Sequence, residues 1–327
     1  MSSLPPRERF SRLAPLQFGA NFPVAPGVNA NLDARSGTKL LGKVGKINLI
    51  LASPECTNHT CAKGGRPRDE QSRLSARYVL RFARQLRPRW IVLENVIQMR
   101  WWQGYHPLIE EIQELGYHVR PQVLDAADFG VPQTRRRLFV ICDREIVPEP
   151  LRVPATTWRT ASEILDPPGT WDSRPLYSEN RAVPTMERAD RATRVLGRGV
   201  PFLVVYYGSD GGGGWQSLDR PLRTLTTLDR FGLVTWERDT AMLRMLQVPE
   251  LKRAMGFDDR FRVDNGTRRD RIRLLGNGVC PPVMEAVVRS LAQELPRDSG
   301  LTENEPPRRA RPALSETTYM KNFALVK

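Results

Sequence analysis

Lysine is scarce in this chain: of its 50 basic residues only 7 are lysine, and the rest are arginine. Long apolar runs are missing too. No stretch of 18 apolar residues occurs, so no transmembrane helix and no membrane partner are expected. The opening "MSSLPPRERFSRLAP" lacks the apolar segment of a signal peptide. The 4 cysteines are irregularly spaced, which excludes a disulfide framework. Together these absences predict a cytoplasmic protein. There is also no internal repeat.

Positive charge, by contrast, is abundant: the net charge is +14. Arginine presents a planar fork that fits phosphates and guanine edges. A polyanion, and nucleic acid first, is the partner this implies. The rival explanation is an arginine-rich composition with no ligand behind it. The 327 residues allow one large domain, or one domain plus a smaller one.

Residues 1 to 35 are rich in Pro and Asn and weakly patterned. "INLILA" (47–52) reads as a buried strand. Residues 70 to 86 read as an amphipathic helix with Leu74, Tyr78, Leu80, Phe82 and Leu86 near one stripe. "RWIVLENV" is a second buried strand, and "HPLIEEIQELGY" is a helix closed by Gly116. "HVRPQVLDA" and "RRLFVICDR" follow as strands. This alternation predicts an α/β fold around a largely parallel sheet. Residues 146–218 are rich in Pro, Arg and Trp and read as a small insertion. Regular pattern returns over 219–295, and 296–327 reads as a disordered tail. The sequence thus divides into a catalytic α/β domain at 1–145, the insertion, the return and the tail.

"LASPECTNHTC" (51–61) poses the chemical question. Cys56, His59 and Cys61 have the spacing C-x2-H-x-C, but a structural zinc site needs four ligands. Cys142, Cys280, His106 and His118 are scattered along the chain. A free cysteine can also be merely a small core residue. Cys56, however, follows its apolar run after a proline. In open α/β sheets, ligands bind in the crevice beyond the carboxyl ends of the strands. The second strand also ends in polar groups, Glu94 and Asn95. A thiol beside a carboxyl group suits a heteroaromatic substrate whose ring nitrogen takes a proton while a neighbouring carbon is attacked.

These residues resemble the DNA (cytosine-5) methyltransferases, particularly bacterial and phage forms. "SPEC" is similar to that family's Pro-Cys nucleophile loop and "LENV" to its Glu-Asn-Val block. "ADFGVPQTRRRLFVI" is similar to its Gln-x-Arg-x-Arg block. "RPLRTLTT" resembles the block after the recognition region, and "RLLGNGVCPPV" the closing Gly-Asn-x-Val-x-Pro-Pro block. The matches keep the family's order from about residue 20 to 290.

The resemblance implies a Rossmann-like S-adenosylmethionine-dependent methyltransferase fold, with 146–218 as a small inserted target-recognition region. It implies methyl transfer from S-adenosylmethionine to C5 of a flipped cytosine in double-stranded DNA, through a covalent adduct of Cys56 with C6. Glu94 would bond the ring at N3 and the exocyclic amine. Arg135 and Arg137 would hold the O2 side and the nearby backbone, Arg137 also favouring the thiolate. Asp33, Pro54 and Asn277 would line the cofactor. Lys63, Arg66 and Arg68, on a basic loop after Cys56, and Gln133 would meet DNA. Trp158, Trp171, Arg152, Arg159, Arg174 and Arg181 are further DNA-contact candidates. No resident metal is implied. Restriction–modification is the setting such proteins share.

One part of the family pattern is lacking. The family begins with a strand, next to the nucleophile strand, followed by a Phe-x-Gly-x-Gly loop that cradles the cofactor. No Gly-x-Gly precedes Cys56. The fold is therefore expected to be incomplete at its N-terminus, leaving "INLILA" with an unpaired apolar edge. Three explanations stand: a misplaced start, a second chain supplying the missing motif, or a catalytically incompetent DNA-binding remnant. Transfer to RNA is a further alternative, since a related branch of the family acts on tRNA.

Overall fold

The computed structural model describes residues 18–22, 32, 37–42, 45–56, 58–59, 69–154, 157–207, 213–292 and 323–326. The chain packs as two units. One comprises Phe18–Leu124, Arg136–Arg152 and Glu285–Lys327; the other comprises Met1–Gln17, Asp125–Arg135 and Val153–Met284. Among the described residues no helix is long and apolar enough to cross a membrane.

The first unit is built on a five-stranded sheet. Its strands are β1 (Leu49–Ala52), β2 (Trp90–Asn95), β3 (His118–Asp125), β4 (Arg136–Asp143) and β10 (Phe323–Val326), in the order β10-β1-β2-β4-β3. All six residues of β2 are buried, as expected for a near-continuous apolar run covered on both faces. The covers include α2 (Tyr78–Leu86) and α3 (Tyr105–Glu114); the short α1 (Glu70–Leu74) precedes them. Helix α2 buries Val79, Leu80, Phe82 and Ala83, while Arg77 at its N-cap and Arg84 within it both reach Glu111 of α3. The buried stripe is shifted from the expected one: Leu74 is exposed, because a 3-10 turn at Ser75–Arg77 separates α1 from α2 and breaks the helical phase. Buried Asp143 is satisfied by the Trp90 indole at 2.5 Å and by Arg89 at 3.5 Å.

Two expectations need correction. The sheet is only partly parallel: β10, β1 and β2 run together, but β4 pairs antiparallel with β2, Glu94 opposite Phe139 and Asn95 opposite Leu138. Burial pattern carries no information on strand direction, so the sequence could not show this. Nor does β1 have a bare edge. The carboxyl-terminal strand β10 lies parallel to it, Leu49 opposite Phe323 and Ala52 opposite Val326. Within the expected tail, residues 323–326 are thus a strand; the rest of 293–322 lies outside the described residues.

The second unit carries an antiparallel sheet of β5 (Arg174–Pro175), β6 (Phe202–Val205), β7 (Trp215–Ser217), β8 (Phe231–Glu237) and β9 (Thr240–Met245), ordered β5-β9-β8-β6-β7. Its core joins Leu176, Phe202, Val204, Val234 and Leu243 to Ala189 and Ala192 of α4 (Val183–Leu196). Helices α5 (Val248–Ala254) and α6 (Arg268–Gly276) follow, and α7 (Pro281–Ala292) runs on across the division. The expected insertion at 146–218 ends too early for this sheet. β6 needs β8 as a partner, and β8 begins only at Phe231.

Candidate active site

Two strands of the first unit end together. In the parallel register Ala52 stands opposite Leu93, so Ser53–Cys56 leaves the sheet beside Glu94 and Asn95. Pro54 has no N–H to extend the ladder, and the chain turns away. Three contacts then fix the turn. Ser53 Oγ donates to Glu94 Oε2 at 2.6 Å. Asn95 Nδ2 donates to the Pro54 carbonyl at 3.2 Å, while Asn95 Oδ1 accepts from the Val96 amide at 2.8 Å. The His59 amide donates to the Cys56 carbonyl at 2.9 Å. The Ser53–Cys56 loop is thus tied to the neighbouring strand twice.

Glu94 is only 5% exposed. Its other carboxylate oxygen, Oε1, faces Arg137 Nε at 3.4 Å. Arg137 stands one position before Leu138, the partner of Asn95, so the ladder itself carries it to Glu94. The carboxyl group is held between a hydroxyl and a guanidinium, which fixes its plane. Cys56 is half-buried. Cys142 is a different kind of thiol: it is fully buried in the apolar core, and burial pushes its pKa far up, leaving it inert.

The chain beyond Cys56 is anchored on both flanks of its basic loop. Asn58 Oδ1 accepts from the Asp69 amide, and its carbonyl from Arg73 Nε, each at 3.0 Å. His59, 1% exposed, packs edge-on against Trp102 with ring centroids 5.4 Å apart. The Trp102 indole in turn donates to Glu70. Lys63, Arg66 and Arg68, and also Cys61 of the metal spacing, lie outside the described residues. Among the described residues no three His, Cys, Asp or Glu side chains gather as metal ligands.

In the second unit the Gln133–Arg135 segment is tied to backbone groups. Gln133 is fully buried. Its Oε1 accepts from the Leu225 amide at 2.7 Å, and its Nε2 donates to the Ala254 carbonyl at 2.9 Å. The amide has no surface left for DNA. Arg135 is 4% exposed. Its Nη1 donates to the Leu225 carbonyl at 2.9 Å, and its Nη2 to the carbonyls of Gly276 and Gly278 at 2.8 and 3.0 Å. Both side chains thus serve a place where three loops converge and their backbone groups need partners.

Of the residues expected at a cofactor, Asp33 lies outside the described residues. Pro54 is buried, with its carbonyl taken by Asn95. Asn277 caps α6: its amide donates to Arg273 O at 3.1 Å, and its half-buried side chain makes no hydrogen bond among the described residues. A side-chain amide held ready on a fixed turn fits a polar ligand. Of the three expected contacts, Asn277 is the one that meets that test.

The family of C-5 cytosine-specific DNA methylases matches the chain over residues 18–293. The chain belongs to this family. A type II methyltransferase of Streptomyces achromogenes, M.SacI, is 28% identical over 323 residues, covering 84% of this chain and 80% of that one. M1.HphI of Haemophilus parahaemolyticus is 32% identical over 132 residues, 38% of this chain and 35% of the relative. Among solved structures, a Spodoptera frugiperda DNMT2 variant gives a TM-score of 0.59 at 17% identity, over 86% of this chain and 89% of that one. The Entamoeba histolytica methyltransferase EhMeth gives 0.57 at 16% identity, over 86% and 87%. These structural likenesses establish the methyltransferase fold.

Most of the tryptophans and arginines expected at DNA lie in the second unit. Trp158 and Trp171 are partly exposed, yet each indole N–H is held, by Asp128 at 2.9 Å and by Asp166 at 2.7 Å. Arg159 is paired with Glu163, and Arg181 bonds the carbonyls of Pro175 and Leu176. Arg174, like Arg152 in the first unit, is exposed. Sequence reasoning missed Ser53 and Asn95. Both are visible in hindsight as the polar residues flanking Pro54 and Glu94.

Proposed function

We infer that this DNA cytosine-5 methylase works by covalent catalysis on a cytosine extruded from double-stranded DNA, with Cys56 as the nucleophile. The observation that carries the reading is the held carboxyl group. Glu94 is fixed by Ser53 and Arg137 at the rim from which the Cys56 loop departs. Attack of the Cys56 thiolate on C6 forms an S–C bond and moves the C5–C6 π pair toward C5. The charge that develops on the ring at N3 is met by Glu94, whose oxygens are already oriented. Asn95 keeps the nucleophile loop in register with Glu94 through the Pro54 carbonyl.

S-adenosylmethionine, when bound, supplies an electrophilic methyl group to C5. Asn277 of the second unit would hold it. A base then removes the C5 proton, the π bond re-forms and the thiol leaves. With a fluorine at C5 there is no proton to remove, so the adduct persists. The test is a duplex carrying 5-fluorocytosine, incubated with the methyl donor. A denaturation-stable adduct mapping to Cys56, and lost in Cys56→Ser, is expected. DNA binding without any adduct from the wild-type chain would overturn the reading in favour of a DNA-binding role alone.

A further inference from the structure

Arg135 is an arginine of the Gln-x-Arg-x-Arg block, and its two terminal nitrogens are bonded to backbone. It reaches the carbonyls on both sides of Asn277, Gly276 at 2.8 Å and Gly278 at 3.0 Å, and the Leu225 carbonyl at 2.9 Å. Its own amide is held by Asp125 Oδ1 at 2.8 Å, and its carbonyl accepts from Ala126 at 3.2 Å. Gln133 fastens the same region from two residues away, through Leu225 and Ala254. The turn it grips leaves little freedom: a Cβ on Gly276 would lie 2.3 Å from the Thr226 carbonyl oxygen. Between the two gripped carbonyls stands Asn277, whose side-chain amide is unengaged among the described residues.

We propose that Arg135 is a positioning residue that presents Asn277 to the methyl donor, and is not a group that touches the cytosine. The proposal rests on the reading of Asn277 as a donor contact. The guanidinium reaches its three carbonyls from two nitrogens held in one plane, a spread that the single nitrogen of an ammonium does not match. Arg137, the next arginine of the same block, faces Glu94 instead. The two arginines therefore divide the labour: Arg137 serves the base, and Arg135 serves the donor.

The experiment separates the two steps. Attack of Cys56 on C6 makes C5 exchange its proton with solvent even without methyl donor, so release of tritium from 5-tritiated cytosine in duplex DNA reports the base-side chemistry alone. Arg135→Lys and Arg135→Ala are compared with wild type for donor-free exchange, DNA affinity, and the donor KM and kcat. Both variants are expected to raise the donor KM about tenfold or more while exchange and DNA affinity stay near wild type. Asn277→Ala should give the same pattern, and free guanidinium ion should partly restore the donor KM of Arg135→Ala. The proposal is overturned if Arg135→Lys loses exchange in parallel with methyl transfer, or if its donor KM is unchanged. Should Arg135→Ala fail to fold, Arg135→Lys and Asn277→Ala decide. A wild-type chain with neither exchange nor donor binding would instead sink the covalent reading itself, and this proposal with it.

Discussion

At Glu94, one carboxyl group is held by two neighbours of different kind. Ser53 donates to one oxygen at 2.6 Å, and Arg137 faces the other at 3.4 Å. Removing the acid and removing its holder should therefore have unequal effects. Glu94→Gln keeps the shape but loses the carboxyl group that meets charge on the ring, and kcat is expected to fall about 10²-fold or more. Ser53→Ala removes one orienting hydrogen bond, worth about 1 kcal/mol, and should cost about fivefold. Glu94 is buried and paired with Arg137, so Glu94→Gln should also lower the thermal midpoint, and more than Ser53→Ala does. Steady-state methylation together with calorimetry checks both. An equal loss in the two variants would mean that Ser53 acts on substrate directly.

Turns between elements decide what the strands and helices present. Gly276 illustrates this, since its missing Cβ is what lets the backbone at Thr226 approach. Gly276→Ala is expected to cost about 1–3 kcal/mol by overpacking, read as a lower denaturation midpoint, and to raise the donor KM by displacing Asn277. The elements themselves were largely legible in the sequence. "INLILA" and "RWIVLENV" are apolar because strands covered on both faces must be, and they became β1 and β2. Cys56 and Glu94 stand out as candidates because one follows such a run and the other closes one. The direction of β4 was not, because alternation carries no sign. The occupation of Gln133 and Arg135 was not legible either. The same letters serve a surface that meets DNA and a junction where carbonyls need donors; only the convergence of residues 225, 254 and 276–278 on them distinguishes the two.

Across the whole molecule, the open question raised by the sequence concerns the edge of β1. A parallel, buried strand such as β1, with Leu49 and Ile50 almost without exposure, is unstable as a free edge. In the structure its outer side pairs with β10, from the opposite end of the chain and in the same direction. The nucleophile strand thus depends on a segment about 270 residues away. In a parallel ladder, alternate residues bond the same neighbour. Of Ala324→Pro and Leu325→Pro, one therefore removes an N–H aimed at β1, and the other removes one aimed away from it. Hydrogen exchange over Leu49–Ala52 is expected to quicken markedly in the first and little in the second, and adduct formation by Cys56 should slow in step with it. Unchanged exchange in both variants would show that β1 does not need this partner in solution. Quickening that leaves the adduct rate untouched would show that the ties through Ser53 and Asn95 to β2 are enough, by themselves, to hold the Cys56 loop.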